Sequence, residues 1–234
     1  MSKNACLVLL LISLLAVLAS CKEAERSTDQ DASSASSVLA RAIHAHGALV
    51  EVDTLRFTKL SVLLRDDGTP ERSSISLHHL RPNEWAGEII TMATRDTLRF
   101  DASAIESSTG LTDTFRLRKT AQTALFTATL PWRLLDESAS ISLLGDTVIQ
   151  QQRVAALAVQ YPQEANSERF VHYFSQQSGR HVGYFIDHGG ENALVLNVAD
   201  TLYQGLRLPT QRVTWRVRGG EMKFRRAHFT YRYE

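Results

Sequence analysis

The chain has 234 residues, 44% of them hydrophobic and 22% charged, with 26 basic side chains against 25 acidic ones and a formal charge of +1. That composition excludes a disordered, collagen-like or polytopic membrane protein, and the missing basic excess argues against nucleic-acid binding, which draws its affinity from clustered Lys and Arg. Two cysteines, Cys6 and Cys21, are too few for a disulfide framework or a cysteine zinc site.

Residues 6–19 are apolar apart from Ser13 and follow a short segment carrying Lys3. A membrane span needs about 20 apolar residues, so this run reads as a signal peptide over residues 1–20. It ends in Leu18-Ala19-Ser20-Cys21, which resembles the lipobox of bacterial lipoproteins. The resemblance implies cleavage before Cys21 and acylation of its thiol, leaving a palmitate-type lipid anchor. In enteric bacteria an Asp after the lipidated cysteine retains a lipoprotein in the inner membrane. Lys22 at that place implies the outer membrane, with the protein facing the periplasm. Residues 22–37 carry no large apolar side chain, so they are expected to be a flexible tether with a reach of roughly 20–24 Å.

Next comes a short helix expected over 38–46, with Ser36 or Ser37 as its N-cap and Gly47 as its stop; Leu39, Ile43 and His46 share one face. The period then changes to two. Leu55 and Phe57, then Leu60, Val62 and Leu64, alternate with mostly polar residues up to the turn signal Asp67-Gly68. Strands follow over 73–79, 87–92 and 97–101. Residues 119–130 read as a helix or broken helix that ends before Pro131, because proline disfavours a helical residue ahead of it. Short strands return over 147–150, 153–161, 168–175, 182–186 and 193–198. The last hairpin turns at Gly219-Gly220 and pairs Arg218 with Glu221, Val217 with Met222, Arg216 with Lys223 and Trp215 with Phe224. Its parity then fails, so a bulge is expected near Arg225-Arg226. Many short strands with two helical segments predict a mainly β (α+β) fold over residues 38–234, read as one domain: an antiparallel sheet curled around or covered by its helices.

No nucleotide loop, dinucleotide fingerprint, nucleophile elbow or zinc-protease helix occurs, and nothing calls for a cofactor or a metal. His44 and His46 on a helix point about 200° apart, His78 and His79 point to opposite faces of a strand, His188 lies in a turn. His172 alternates with Phe170 and Phe174 and can face an apolar interior. Asp66, Asp67 and Asp187 sit where turns need them. A non-enzymatic protein is the expectation, with a hydrolase lacking a short motif as the remote alternative. The aromatic side chains Phe57, Trp85, Trp132, Tyr184, Trp215 and Phe224 are candidates to line an apolar, lipid-sized cavity, or else to pack a β core. Arg212, Arg216, Arg218 and Lys223 would give the last hairpin a basic face, read first as solvated, or else meeting phospholipid head groups or docking an acidic partner in the envelope.

The opening helix ending in His46-Gly47, the central Leu130-Pro131-Trp132-Arg133-Leu134-Leu135-Asp136 and the closing Gly205-Leu206-Arg207-Leu208-Pro209-Thr210, in that order behind a lipoprotein leader, resemble the LolA/LolB-like lipoprotein-carrier superfamily. That resemblance implies a curved antiparallel half-barrel whose mouth is covered by helices, a cavity for acyl chains, and a non-catalytic binding role at the membrane.

Overall fold

The structure is a computed structural model and describes residues 34–47, 54–63, 70–78, 85–101, 103–108, 114–135, 139–161, 169–187 and 192–234. The expected leader over 1–20, the lipidation site Cys21, the tether up to residue 33, the Asp67-Gly68 turn and His188 lie outside the described residues.

Helix α1 (Ala35–His46) begins three residues earlier than expected because Ser34 is its cap: the Ser34 hydroxyl accepts the Ser37 N–H at 3.2 Å. Its buried side chains are Val38, Leu39, Ala42 and His46, one stripe along the helix. The chain then forms β1 (Thr54–Leu63), β2 (Pro70–His78), β3 (Ala86–Thr91), β4 (Thr97–Phe100) and β5 (Ile105–Ser107). After helix α2 (Thr114–Thr129) and a 3-10 turn (Trp132–Leu135) come β6 (Ser140–Ile149), β7 (Gln152–Gln160), β8 (Arg169–Ser175), β9 (His181–Asp187), β10 (Asn192–Tyr203), β11 (Leu206–Arg218) and β12 (Glu221–Tyr233).

Among the described residues these strands make one open antiparallel sheet in the order β5-β4-β3-β2-β1-β12-β11-β10-β9-β8-β7-β6. Nearly every sheet neighbour is a sequence neighbour. The exception is β1 against β12, which brings the C-terminal strand to the middle of the sheet. Since β5 and β6 are the two free edges, the segment joining them has to run from one rim to the other, and α2 lies in that segment. Leu117, Ala121, Leu125 and Ala128 of α2 pack with Leu55, Phe57, Ile75, Leu77, Leu98 and Phe100 on the β1–β4 side. Phe126, on another face of the same helix, meets Tyr161, Phe170, His172 and Tyr184 on the β7–β9 side. Helix α1 joins that second cluster through Val38, Leu39 and Ala42. Both helices therefore occupy one face of the sheet, the arrangement expected from the sequence.

The opposite face carries a smaller cluster, Leu194, Leu196 and Val217 with the partly buried Tyr173, Phe185 and Trp215. No described helix is long and apolar enough to cross a membrane.

The last hairpin keeps the expected register only next to its turn, where Arg218 pairs with Glu221 and Val217 with Met222. Arg216 then pairs with Phe224 and Trp215 with Arg225, because Lys223 is an extra residue in β12; a second shift between Thr214 and Trp215 falls at Arg226. The expected like-charge pairing of Arg216 with Lys223 is thereby removed, and the expected bulge near Arg226 is accompanied by another at Lys223.

Candidate functional site

Three stretches that are far apart in sequence meet at the end of α1. Gly47, at φ 90°, closes the helix with its N–H on the Ile43 carbonyl at 2.9 Å. A Cβ there would stand 2.2 Å from the Gly205 carbonyl oxygen, so only glycine fits against the turn between β10 and β11. The Gly47 carbonyl accepts the Trp132 indole N–H at 2.7 Å, and the Trp132 ring meets His46 edge-on at 5.9 Å. His46 Nδ1 bonds the Arg207 carbonyl at 2.8 Å, while its Nε2 accepts the His181 backbone N–H at 3.0 Å. Since Nε2 is an acceptor, the proton sits on Nδ1 and His46 is neutral. Burial holds its pKa below the usual histidine range. The segments containing His46-Gly47, Trp132 and Gly205-Leu206-Arg207 are thus joined by direct hydrogen bonds and backbone contact.

From His46 a polar path runs across the covered face of the sheet. His181 and His172 are both buried, with His181 Nε2 3.2 Å from His172 Nδ1. The Asn197 amide fixes the direction of this pair. Its Oδ1 accepts Arg212 Nε at 2.8 Å, so its Nδ2 donates, to the His181 carbonyl at 2.8 Å and toward His181 Nδ1 at 3.3 Å. His181 therefore carries its proton on Nε2 and donates to His172 Nδ1, which leaves the His172 proton on Nε2, a buried atom without a partner. Burial depresses the His172 pKa to about 3 and holds His181 well below the usual range; His172, His46 and Arg212 add to the depression at His181. All three imidazoles are neutral at pH 7. Phe170 and Tyr184 stack on His172, and Tyr184 lies parallel to His181 at 6.1 Å. Burial raises the Tyr184 hydroxyl to about 12.

Arg212 ends the path. It is 1% exposed, lies over the Tyr231 ring at 5.5 Å, and has a buried Nη1 with no partner. Lys59 sits on the same face of the sheet, half-buried, with its Nζ 5.1 Å from the centre of the Phe229 ring. Neither histidine nor arginine here meets a serine–carboxylate pair, so the hydrolase alternative gains no constellation among the described residues. No group of metal-ligating side chains occurs among them either.

The candidate cavity residues divide. Phe57 and Trp132 belong to the cluster under α2, with Trp85 packed against its edge and 5.6 Å from Phe100. Tyr184 belongs to the second covered cluster, and Phe224 shares the covered face through its pairing with the buried Arg216. Trp215 lies on the other face, with Arg225 over its ring at 5.5 Å. The expected basic face divides as well. Arg212 and Arg216 are buried, whereas Arg218 and Lys223 are exposed near the hairpin turn, and Lys223 pairs with Glu221. The four do not form one surface: Arg212, Arg216 and Arg218 keep one side of β11 but the first two are buried on the covered face, and the bulge in β12 takes Lys223 out of alignment with them.

Outside the sheet, an open groove of about 790 Å³ runs over the uncovered side of β1–β5, around the 2.7 Å ion pair of Arg99 with Glu88. Its polar rim, including Arg56, His78 and Glu106, is unlike an acyl-chain site and contains none of the candidate aromatic residues.

No protein-family profile matches the chain, and no curated protein matches it in sequence. Solved structures do match it. A LolA superfamily protein from Nitrosomonas europaea superposes with a TM-score of 0.52 at 12% identity, over 85% of this chain and 91% of that one. A DUF1329 family protein from Desulfovibrio piger gives 0.51 at 9% identity, over 86% and 91%. A domain described as an outer membrane lipoprotein-sorting protein, from Vibrio parahaemolyticus, gives 0.52 at 10% identity, over 86% and 90%. The fold of this chain is the LolA-like one: an open antiparallel sheet with its helices on one face.

Proposed function

We propose that this chain is a cell-envelope lipoprotein that binds a lipid or another apolar ligand, without catalysis, between its curved sheet and the helices that cover it. The observation that carries the reading is α2. It bridges the region between the two free edges of the sheet and faces an apolar wall on each side, the Leu55–Phe57–Ile75–Leu77 group and the Phe170–Tyr184 group. A helix in that position can move away from the sheet and leave an acyl-sized slot without breaking any strand pairing. Phe57, Trp85, Trp132, Tyr184 and Phe224 are the aromatic lining in this reading; Trp215 is left out of it. Anchoring through acylated Cys21, at the outer membrane and facing the periplasm, belongs to the same proposal and rests on the lipobox-like sequence.

The neutral fluorophore N-phenyl-1-naphthylamine tests the apolar site without involving charge. Its emission should rise and shift to the blue on mixing with the protein, and dodecanol should reverse both changes. No rise at micromolar protein would contradict the reading. For the anchor, metabolic labelling with an alkyne-tagged palmitate should mark the protein and leave Cys21→Ala unmarked; an unlabelled protein, or equal labelling of the variant, would contradict it.

A further inference from the structure

Of the cations on the covered face, Lys59 and Arg212 stand together and have no place in an apolar site. Arg212 of β11 pairs with Phe229 of β12, and Lys59 of β1 pairs with Tyr231 of the same strand, so the four side chains share one face with the two cations flanking β12. Each cation leans diagonally across that strand, Lys59 toward the Phe229 ring at 5.1 Å and Arg212 toward the Tyr231 ring at 5.5 Å.

Arg212 is always charged and 1% exposed; its Nε donates to Asn197 at 2.8 Å, and its buried Nη1 meets no acceptor. Among the described residues no carboxylate forms an ion pair with it. A fold carries a charge in that condition at a cost that a matching anion would remove. Lys59 is strained in the same sense. Burial holds its ammonium below the usual lysine range, Glu71 opposes the shift, and Arg212 adds to it. Ser73 stands beside Lys59 in the register and on the same face. In the other direction along the strands Ser61, Thr214 and Phe229 are half-buried, so solvent comes nearer on the β1 side, while Ala227 and Arg216 beyond them are buried again.

We infer that Lys59 and Arg212 form a binding site for an anionic group, a carboxylate or a phosphate, carried as the head of the amphiphile whose chain lies at the apolar end of the same face. One such group would give Arg212 Nη1 its missing acceptor, give Lys59 a partner, and neutralise the repulsion between the two. The chain of the ligand would run from there toward Phe57 and Leu55, along the direction in which the covered face becomes apolar. The inference rests on the apolar-ligand reading for the chain of the ligand, and on the two cations alone for its head.

Calorimetric titration of the purified protein with dodecyl phosphate, dodecanol and inorganic phosphate separates these parts. Dodecyl phosphate should bind at least about tenfold more tightly than dodecanol, as a charge-assisted pair is lost in the alcohol. Lys59→Met, at a half-buried position, should remove most of that difference while leaving dodecanol binding unchanged; Arg212→Met should do the same if it folds. Equal binding of dodecyl phosphate and dodecanol would overturn the anion site and leave the apolar reading standing. Tight binding of inorganic phosphate with no binding of dodecanol would keep the anion site, assign it to a free anion and overturn the amphiphile. Binding of none of the three would overturn both.

Discussion

The two ends of the covered face are built on different principles. Toward β2–β4 the sheet and α2 meet through Leu, Ile, Phe and Ala side chains, and fully burying each of the larger ones is worth about 1.5–3 kcal/mol with little dependence on direction. Toward β8–β11 the same face holds a chain of directed contacts, from Trp132 and His46 through His181, His172 and Asn197 to Arg212, with distances of 2.7–3.3 Å fixing tautomers and amide orientation. The first end can reshape around a guest, because apolar contacts re-form in many geometries. The second end holds the frame in place, because its hydrogen bonds are directional and each is met at one position; among the described residues only His172 Nε2 and Arg212 Nη1 are left without a partner there.

The difference can be broken at its hinge. Gly47→Ala would drive a Cβ to 2.2 Å from the Gly205 backbone and require φ near 90° of an L side chain. The expected loss exceeds about 4 kcal/mol, seen as failure to reach a cooperative thermal transition. A near-normal melting temperature would show that α1 is not locked to the β10–β11 turn as described.

At the apolar end, Phe57→Ala should cost about 3–5 kcal/mol by urea unfolding, whereas Phe57→Met should cost less than about 1.5 kcal/mol. At the polar end no such tolerance is expected. His46→Ala leaves the His181 N–H and the Arg207 carbonyl without their partner, at about 2–4 kcal/mol, and His46→Leu should be no better despite its volume. If His46→Leu were as mild as Phe57→Met, the distinction between the two ends would fail.

The smallest effect is a pH dependence. His172 has its pKa depressed to about 3 by burial, so the unfolded chain takes up a proton below about 6.5 that the folded chain refuses. Its contribution to stability is full above pH 6.5 and is lost as pH falls, by up to about 1.4 kcal/mol for each pH unit. His172→Phe, which keeps a ring between Phe170 and Tyr184, should flatten the fall in stability between pH 6.5 and 4.5 by one proton's worth. An unchanged slope would mean that His172 is accessible to protons in the folded state.

The order of most elements and the turn at Gly219-Gly220 were legible because alternation and glycine punctuation are local. Ser140–Ile149 was legible only over its last residues, because a register shift between Leu143 and Gly145 breaks the alternation. Ile105–Ser107 is too short to show a period. The two-ended character of the site was invisible, since His46 and Arg207 are 161 positions apart and His46 and His181 are 135 apart. Arg212 and Arg216 alternate with apolar residues like any amphipathic strand. Their burial follows from α1, α2 and the curl of the sheet, which put the charged side of β11 inward and left Val213 and Val217 to pack on the other face.

Native mass spectrometry of the protein extracted from its native host in mild detergent is the most direct test of an apolar site beneath α2. The account predicts a population carrying one bound lipid or acyl-bearing molecule, which is lost when Phe57 or Trp132 is changed to a charged residue that still folds. A folded protein that emerges empty, and takes up neither dodecanol nor dodecyl phosphate afterwards, would contradict it.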